Sequence, residues 1–197
     1  RARVVTVHDL AFAAMPETVS PETLEGLALN LPKTLCHADL LIAVSDATAN
    51  ELVDRLEVNP RLVRTVHEGV DPLFVAAGED QLPEHILEPY LLFVSTLEPR
   101  KNVVGILRAF RLLREWGYDG SLVLVGRWGW HTEAIRSEFE ASPAREWIHH
   151  LEGVERPQLA TLYRHADALL FPSWIEGFGL PLVEAMACGT PVVTSGT

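Results

Sequence analysis

Short apolar, β-rich runs alternate with helix-period stretches along the whole of this 197-residue sequence. No other feature constrains the fold as much. Strands joined through helices run parallel, and a parallel sheet is covered by helices on both faces. Strands are expected near Val4–Val7, Leu40–Val44 and Val63–Val66, with helices around Glu22–Leu35 and Asp46–Leu56. Ser45 is placed to cap the second of these helices.

The pattern breaks at "VAAGEDQLPEHILEP", an acidic stretch with Gly and two prolines. Alternation then resumes. "YLLFVST" reads as a buried strand, and Asn102 as the cap of a helix carrying Val103, Ile106, Leu107, Phe110 and Leu113 on one face. "SLVLVG", a helix from about Thr132 to Phe139, "WIHHLEG", "QLATLYRHA", "ALLFPS" and "PVVTS" follow. The expected fold class is α/β with two doubly wound parallel-sheet domains. Residues 1–74 form the later part of the first, 75–89 a linker, and 90–197 a nearly whole second. The chain opens almost inside a strand without Met and stops just after another, so a piece of a longer protein is expected. Ligands of such sheets sit beyond the carboxyl ends of the strands. His8, Ser45, Glu68, Thr96, Gly126, Gly153 and Ser173–Glu176 all follow strands, and two sheets with facing strand ends would form an interdomain cleft.

Composition narrows the partners. Sixteen basic against 27 acidic side chains give a net charge of −11, a poor match for nucleic acid or an anionic membrane. Cys36 and Cys188 are far apart and form no disulfide framework, so a reducing, cytoplasmic compartment is expected. No apolar run reaches membrane-spanning length.

The stretch "EGFGLPLVEAMACGTPVV" concentrates the chemistry. Pro181 suits a first helical turn and Gly189 a helix end, giving a short helix over Pro181–Cys188. Glu176 falls in the loop before it. Glu184 is expected in the first turn, looking outward where the helix dipole favours an acid. Gly177 and Gly179 let backbone approach a ligand closely, and the N–H groups of Gly179 to Leu182, less Pro181, suit an anion. Lys101 and Arg100 sit at a helix start, where cations oppose the dipole; a solvated pair or an anion site are the two readings. His8 is either a core histidine at a strand end or a ligand contact, with a His8–Asp9 metal pair the lesser reading. His149 and His150 alternate across a strand, and no metal-ligand spacing stands out. Trp128 and Trp130 suit either core packing or a loop platform.

That stretch closely resembles the signature of retaining glycosyltransferases of family 4, with the two-domain GT-B fold. "TVHDLAF", "ADLLIAVSDATANEL", "EGVDPLF", "LLFVSTLEPRKN", "LVLVGRWGW" and "HLEGVERPQLATLYRHADALLFPSWIEGFG" follow in the family's order. The resemblance implies a nucleotide-sugar donor, a saccharide or lipid-linked acceptor, no cofactor and no metal. It also implies a first domain on the acceptor side and leaves room for peripheral membrane contact through parts not in this chain. It implies that Glu176 contacts the donor sugar near the reacting carbon and that Gly177, Phe178, Gly179 and Leu180 touch sugar hydroxyls and phosphates. Glu184 would bind the ribose, Lys101 the diphosphate and Val154 the base, with His8 reaching the sugar. Thr96 stands where many members carry a phosphate-binding arginine, and Arg100 could replace that charge. Glu68 stands where many carry Asn, which leaves its role open. "LEPRKN" is similar to mannosyltransferases of polysaccharide assembly and weakly favours GDP-mannose. A nicotinamide oxidoreductase would need G-x-G-x-x-G, which "GRWG" fails. A sugar-nucleotide epimerase and a non-catalytic binding piece are the remaining alternatives.

Overall fold

A computed structural model describes residues 2–75 and 81–196. It divides into two compact units. One takes the chain up to Gly69 together with Ile175–Gly179; the other takes Val70–Trp174 and the chain from Leu180 onward. Of the expected linker, residues 76–80 lie outside the described residues. In its later half, Ile86 is fully buried in the second unit's core.

The first unit holds β1 (Val4–Val7), α1 (Ala11–Ala14), α2 (Pro21–Cys36), β2 (Leu40–Ala43), α3 (Asp46–Leu56) and β3 (Val63–Thr65). The strands pair in parallel in the order β1-β2-β3, with Val4 beside Leu40 and Leu41 beside Val63. Ser45 caps α3 as expected, its Oγ accepting from the Thr48 N–H at 3.1 Å. Val7, Leu10, Leu41, Ala43, Leu52 and Val63 form the core.

The second unit is a five-stranded parallel sheet in the order β6-β5-β4-β7-β8. Its elements are β4 (Tyr90–Val94), α4 (Val103–Glu115), β5 (Ser121–Val125), α5 (Glu133–Ala141), β6 (Ile148–Leu151), α6 (Arg156–His165), β7 (Ala168–Phe171), α7 (Leu180–Ala187) and β8 (Val192–Thr194). Every residue of β4 and β5 is buried. Their side chains alternate between the faces, as a pleated strand requires. Leu91, Phe93, Leu122 and Leu124 pack with Ile106, Phe110, Ile135 and Phe139 on one side. Tyr90, Leu92, Val123 and Val125 pack with Leu162, Tyr163, Phe171 and Ala185 on the other. Each such aliphatic side chain contributes about 1.5–3 kcal/mol. The Tyr90 hydroxyl donates to the Leu162 carbonyl at 2.8 Å, so its burial leaves no orphaned polar group.

Asn102 departs from expectation. It fills the cap position of α4 but makes no side-chain capping bond. The preceding turn Pro99–Lys101 leaves it left-handed, φ 56°, a conformation asparagine tolerates. Its side chain lies over Gly105 instead, where a Cβ would stand 2.5 Å from Oδ1.

In the second unit a tight backbone constraint falls at Gly126, just beyond β5. Its φ is +146° and a Cβ there would stand 1.9 Å from the Ser95 carbonyl oxygen. Gly126→Ala is expected to lower stability by about 3 kcal/mol. Gly26→Ala, in an open position of α2 with nothing within 4 Å of the added carbon, should raise it by about 0.5–1 kcal/mol. Urea unfolding of the two variants checks the contrast.

Candidate active site

In the second unit the chain steps from β4 to β5 to β6, then returns to the other flank of β4 as β7. The switch point lies between β4 and β7, and the crevice of such a sheet opens there, at the carboxyl ends. The loops that meet at this place are residues 95–102 and 172–174. They are tied together by the Trp174 N–H donating to the Arg100 carbonyl at 2.9 Å.

The 95–102 loop is charged yet buried. Glu98 is 2% exposed and Lys101 7%. Arg100 pairs with Glu98, Nη2 to Oε1 2.9 Å. A buried carboxylate is tolerated only when paired, so this ion pair holds the loop's shape. Lys101 Nζ stands 5.2 Å from the Phe171 ring centroid at the end of β7, placing its charge at the switch point. The solvated-pair reading of Arg100 and Lys101 is therefore overturned. Thr96 is half-buried, and its Cγ2 stands 2.8 Å from where a Gly129 side chain would begin. Val154, beyond β6, packs half-buried against the core that contains Tyr163. Trp128 settles as a packing residue, edge-on to Phe139 at 5.8 Å and under the Arg136 guanidinium at 3.9 Å.

Glu184 differs from its sequence reading. Helix α7 begins at Leu180 rather than Pro181, which moves Glu184 out of the first turn. It is half-buried, and the Tyr163 hydroxyl donates to its Oε2 at 3.0 Å. Neighbouring α6, rather than the helix dipole, therefore sets its environment. Burial raises its carboxyl pKa, the Tyr163 hydrogen bond and the Arg156 charge oppose the rise, and Asp71 adds to it. Burial and Glu184 together push the Tyr163 phenol well above its ordinary range. Gly189 ends the helix as expected, φ +83°, with Gly189 N–H to Met186 and Thr190 N–H to Ala185 closing a Schellman motif.

The loop Ile175–Gly179 belongs by its contacts to the first unit. A Cβ at Gly177 would stand 1.6 Å from the His8 carbonyl oxygen, so only glycine lets these backbones touch. Thr48 Oγ1 donates to the Gly177 carbonyl at 3.3 Å, and Phe178 lies 5.9 Å from the His67 ring. Half-buried Glu176 is thus one residue from the His8 contact, while Gly179, φ +86°, turns the chain into α7. Leu180 is exposed. His8 is not a core histidine: its side chain is 71% exposed, with Nδ1 2.9 Å from Glu68 Oε1.

Two partners escaped sequence reading. Glu98 and Tyr163 lie within quoted motifs that assign them no role; the burial of Glu98 and the Tyr163–Glu184 contact come from the fold. Glu68 was in view but lacked its contact with His8. His149 and His150 do split across the sheet. His150 Nε2 meets the Gly126 carbonyl at 2.7 Å, whereas His149 faces His85. Among the described residues no group of three or more His, Cys, Asp or Glu could hold a metal ion, and no helix is long and apolar enough to cross a membrane.

Comparison with known proteins matches residues 79–197 to the family Glycosyl transferases group 1 and residues 1–74 to Glycosyltransferase Family 4. The O-antigen chain mannosyltransferase B of Escherichia coli is 32% identical over 98% of this chain and 52% of its own. A D-inositol 3-phosphate glycosyltransferase of Mycobacterium sp. (strain JLS) is 34% identical over 98% of this chain and 45% of its own. The chain thus spans about half the length of these curated relatives. A sucrose-phosphate synthase structure from Thermosynechococcus elongatus superposes with TM-score 0.75 at 24% identity, over 98% of this chain and 50% of that one. Anabaena Alr3699/HepE in complex with UDP and glucose gives 0.74 at 21%, over 100% of this chain and 53% of its own. These likenesses show the fold, α/β of the GT-B type.

A carboxyl whose folded pKa is raised binds more protons folded than unfolded. Its contribution to stability is therefore greatest below the ordinary carboxylate range and is lost as pH rises through the folded value. Glu184→Gln keeps an oxygen for Tyr163 without the charge. Thermal melts should show it more stable than wild type at neutral pH, the gap closing as pH falls to about 4.

Proposed function

Because the chain belongs to the family of group 1 glycosyl transferases, we propose that its protein is a retaining transferase. It moves a sugar from a nucleotide-diphosphate donor, with GDP-mannose preferred, to a saccharide or lipid-linked acceptor in glycoconjugate synthesis. The observation that carries the reading is buried Lys101 at the switch point of the second sheet. A lysine removed from water is suited to meeting an anion, and a leaving diphosphate is the anion this reaction generates.

In this scheme the bond between the sugar's anomeric carbon and the diphosphate oxygen breaks. The electron pair leaves with the diphosphate, and an acceptor hydroxyl attacks from the same face. The acceptor's proton passes to the departing phosphate oxygen. Lys101 and Arg100 stabilise the new negative charge, with Thr96 beside them, and no metal ion or cofactor enters. Residues 90–197 hold the nucleotide, with Val154 against the base, Glu184 on the ribose hydroxyls and Gly177–Leu180 along the sugar and phosphates. Glu176 orients the sugar and stabilises positive charge at its carbon, while His8 contacts a sugar hydroxyl. The first domain serves the acceptor. The mannosyltransferase relatives and the "LEPRKN" loop support mannose as the sugar.

Lys101→Ala is expected to weaken nucleotide-diphosphate binding about tenfold or more in calorimetric titration. GDP, UDP and ADP titrated in parallel should rank GDP first, and equal affinities would remove the donor preference. Glu176→Ala should lose about a hundredfold or more of transfer while keeping nucleotide affinity within about threefold. Near wild-type turnover defeats the role given to Glu176, and a donor returned as its epimer defeats transfer itself.

A further inference from the structure

We propose that Glu68 is a positioning residue for His8: its carboxylate holds the Nδ1 proton, leaving Nε2 as the acceptor for a hydroxyl of the sugar donor. The proposal rests on the glycosyl-transfer reading above.

His8 is the first residue beyond β1, and 71% of its side chain is exposed. A neutral imidazole so open to water would otherwise turn about its side-chain bonds and exchange its proton between two nitrogens. Glu68 removes both freedoms. Its Oε1 is 2.9 Å from His8 Nδ1. An ionised carboxylate only accepts, so Nδ1 carries the proton and Nε2 presents its lone pair.

The geometry needs a long acid at position 68. Strands β1 and β3 are not neighbours, because β2 lies between them. With neighbouring strands about 4.8 Å apart, their ends are nearly 10 Å apart. His8, just beyond β1, and Glu68, in the loop that follows β3, meet across the end of β2. A shorter Asp or Asn loses a methylene of reach. The backbone of His8 is held independently, since the Gly177 backbone rests on its carbonyl. Backbone and ring are therefore held by different partners, beside the loop that carries Glu176. Stability does not explain the pair, because even a fully charged pair this exposed contributes only about 0–1 kcal/mol.

Two measurements test the assignment. In the first, nitrogen-resolved NMR of histidine-labelled protein reads the His8 tautomer without reference to activity. Wild type should show the proton on Nδ1, and Glu68→Ala a mixture of both forms. In the second, the full-length protein is assayed with sugar nucleotides. Glu68→Ala should lower kcat about tenfold with the donor KM within about twofold and an unchanged melting temperature. Glu68→Gln, with an oxygen at the same reach, should recover to within about threefold of wild type, whereas Glu68→Asp should not.

A wild-type Nδ1 without its proton overturns the proposal. So does full activity in Glu68→Ala, or an equal loss in Gln and Ala variants. A wild-type protein that turns over no sugar nucleotide defeats the functional reading and the donor-facing role of Nε2, while the NMR result still decides the Glu68–His8 pairing.

Discussion

The second unit depends on β4 being paired in parallel on both flanks, with β5 on one side and β7 on the other. Parallel pairing on both flanks needs crossover helices, which cover both faces, and its five residues are accordingly all buried. The connection that leaves along one flank and returns along the other opens a crevice at the strand's carboxyl end. The loop that carries Glu98, Arg100 and Lys101 borders that opening.

The electrostatics there are costly by design of the fold. Glu98 is withdrawn from water and neutralised by Arg100, which shapes the loop that presents Lys101. Glu184 is half-buried against Tyr163 with its carboxyl pKa raised. Neither arrangement is one that packing alone would select, since apolar residues in such places are often neutral or stabilising.

In the first unit the limiting constraint is steric. Gly177 has no room for a side chain against the His8 carbonyl. That contact holds the loop bearing Glu176 to the end of β1 and leaves the His8 ring to be oriented by Glu68. A glycine that could be taken for a flexible loop element is a fixed point of contact between two backbones.

The sequence by itself determined the order of strands and helices, because hydrophobic period and helix caps are local properties. Ser45 and Gly189 are examples: each acts on hydrogen bonds within a few residues. It also carried the family signature, whose Glu176 and Lys101 fall in loops after strands. Tertiary structure alone decided which partner each charged group meets. Glu184 met Tyr163 from another helix, and His8 proved exposed and bound to Glu68, 60 residues away in the chain, while the fold buried Glu98 beside its sequence neighbour Arg100. Asn102 shows the same limit locally, where a preceding turn set its backbone left-handed and took its side chain from the cap. The physical reason is range. Periodicity and capping act over one or two turns of chain, whereas burial and ion pairing depend on strand order, which brings distant residues together.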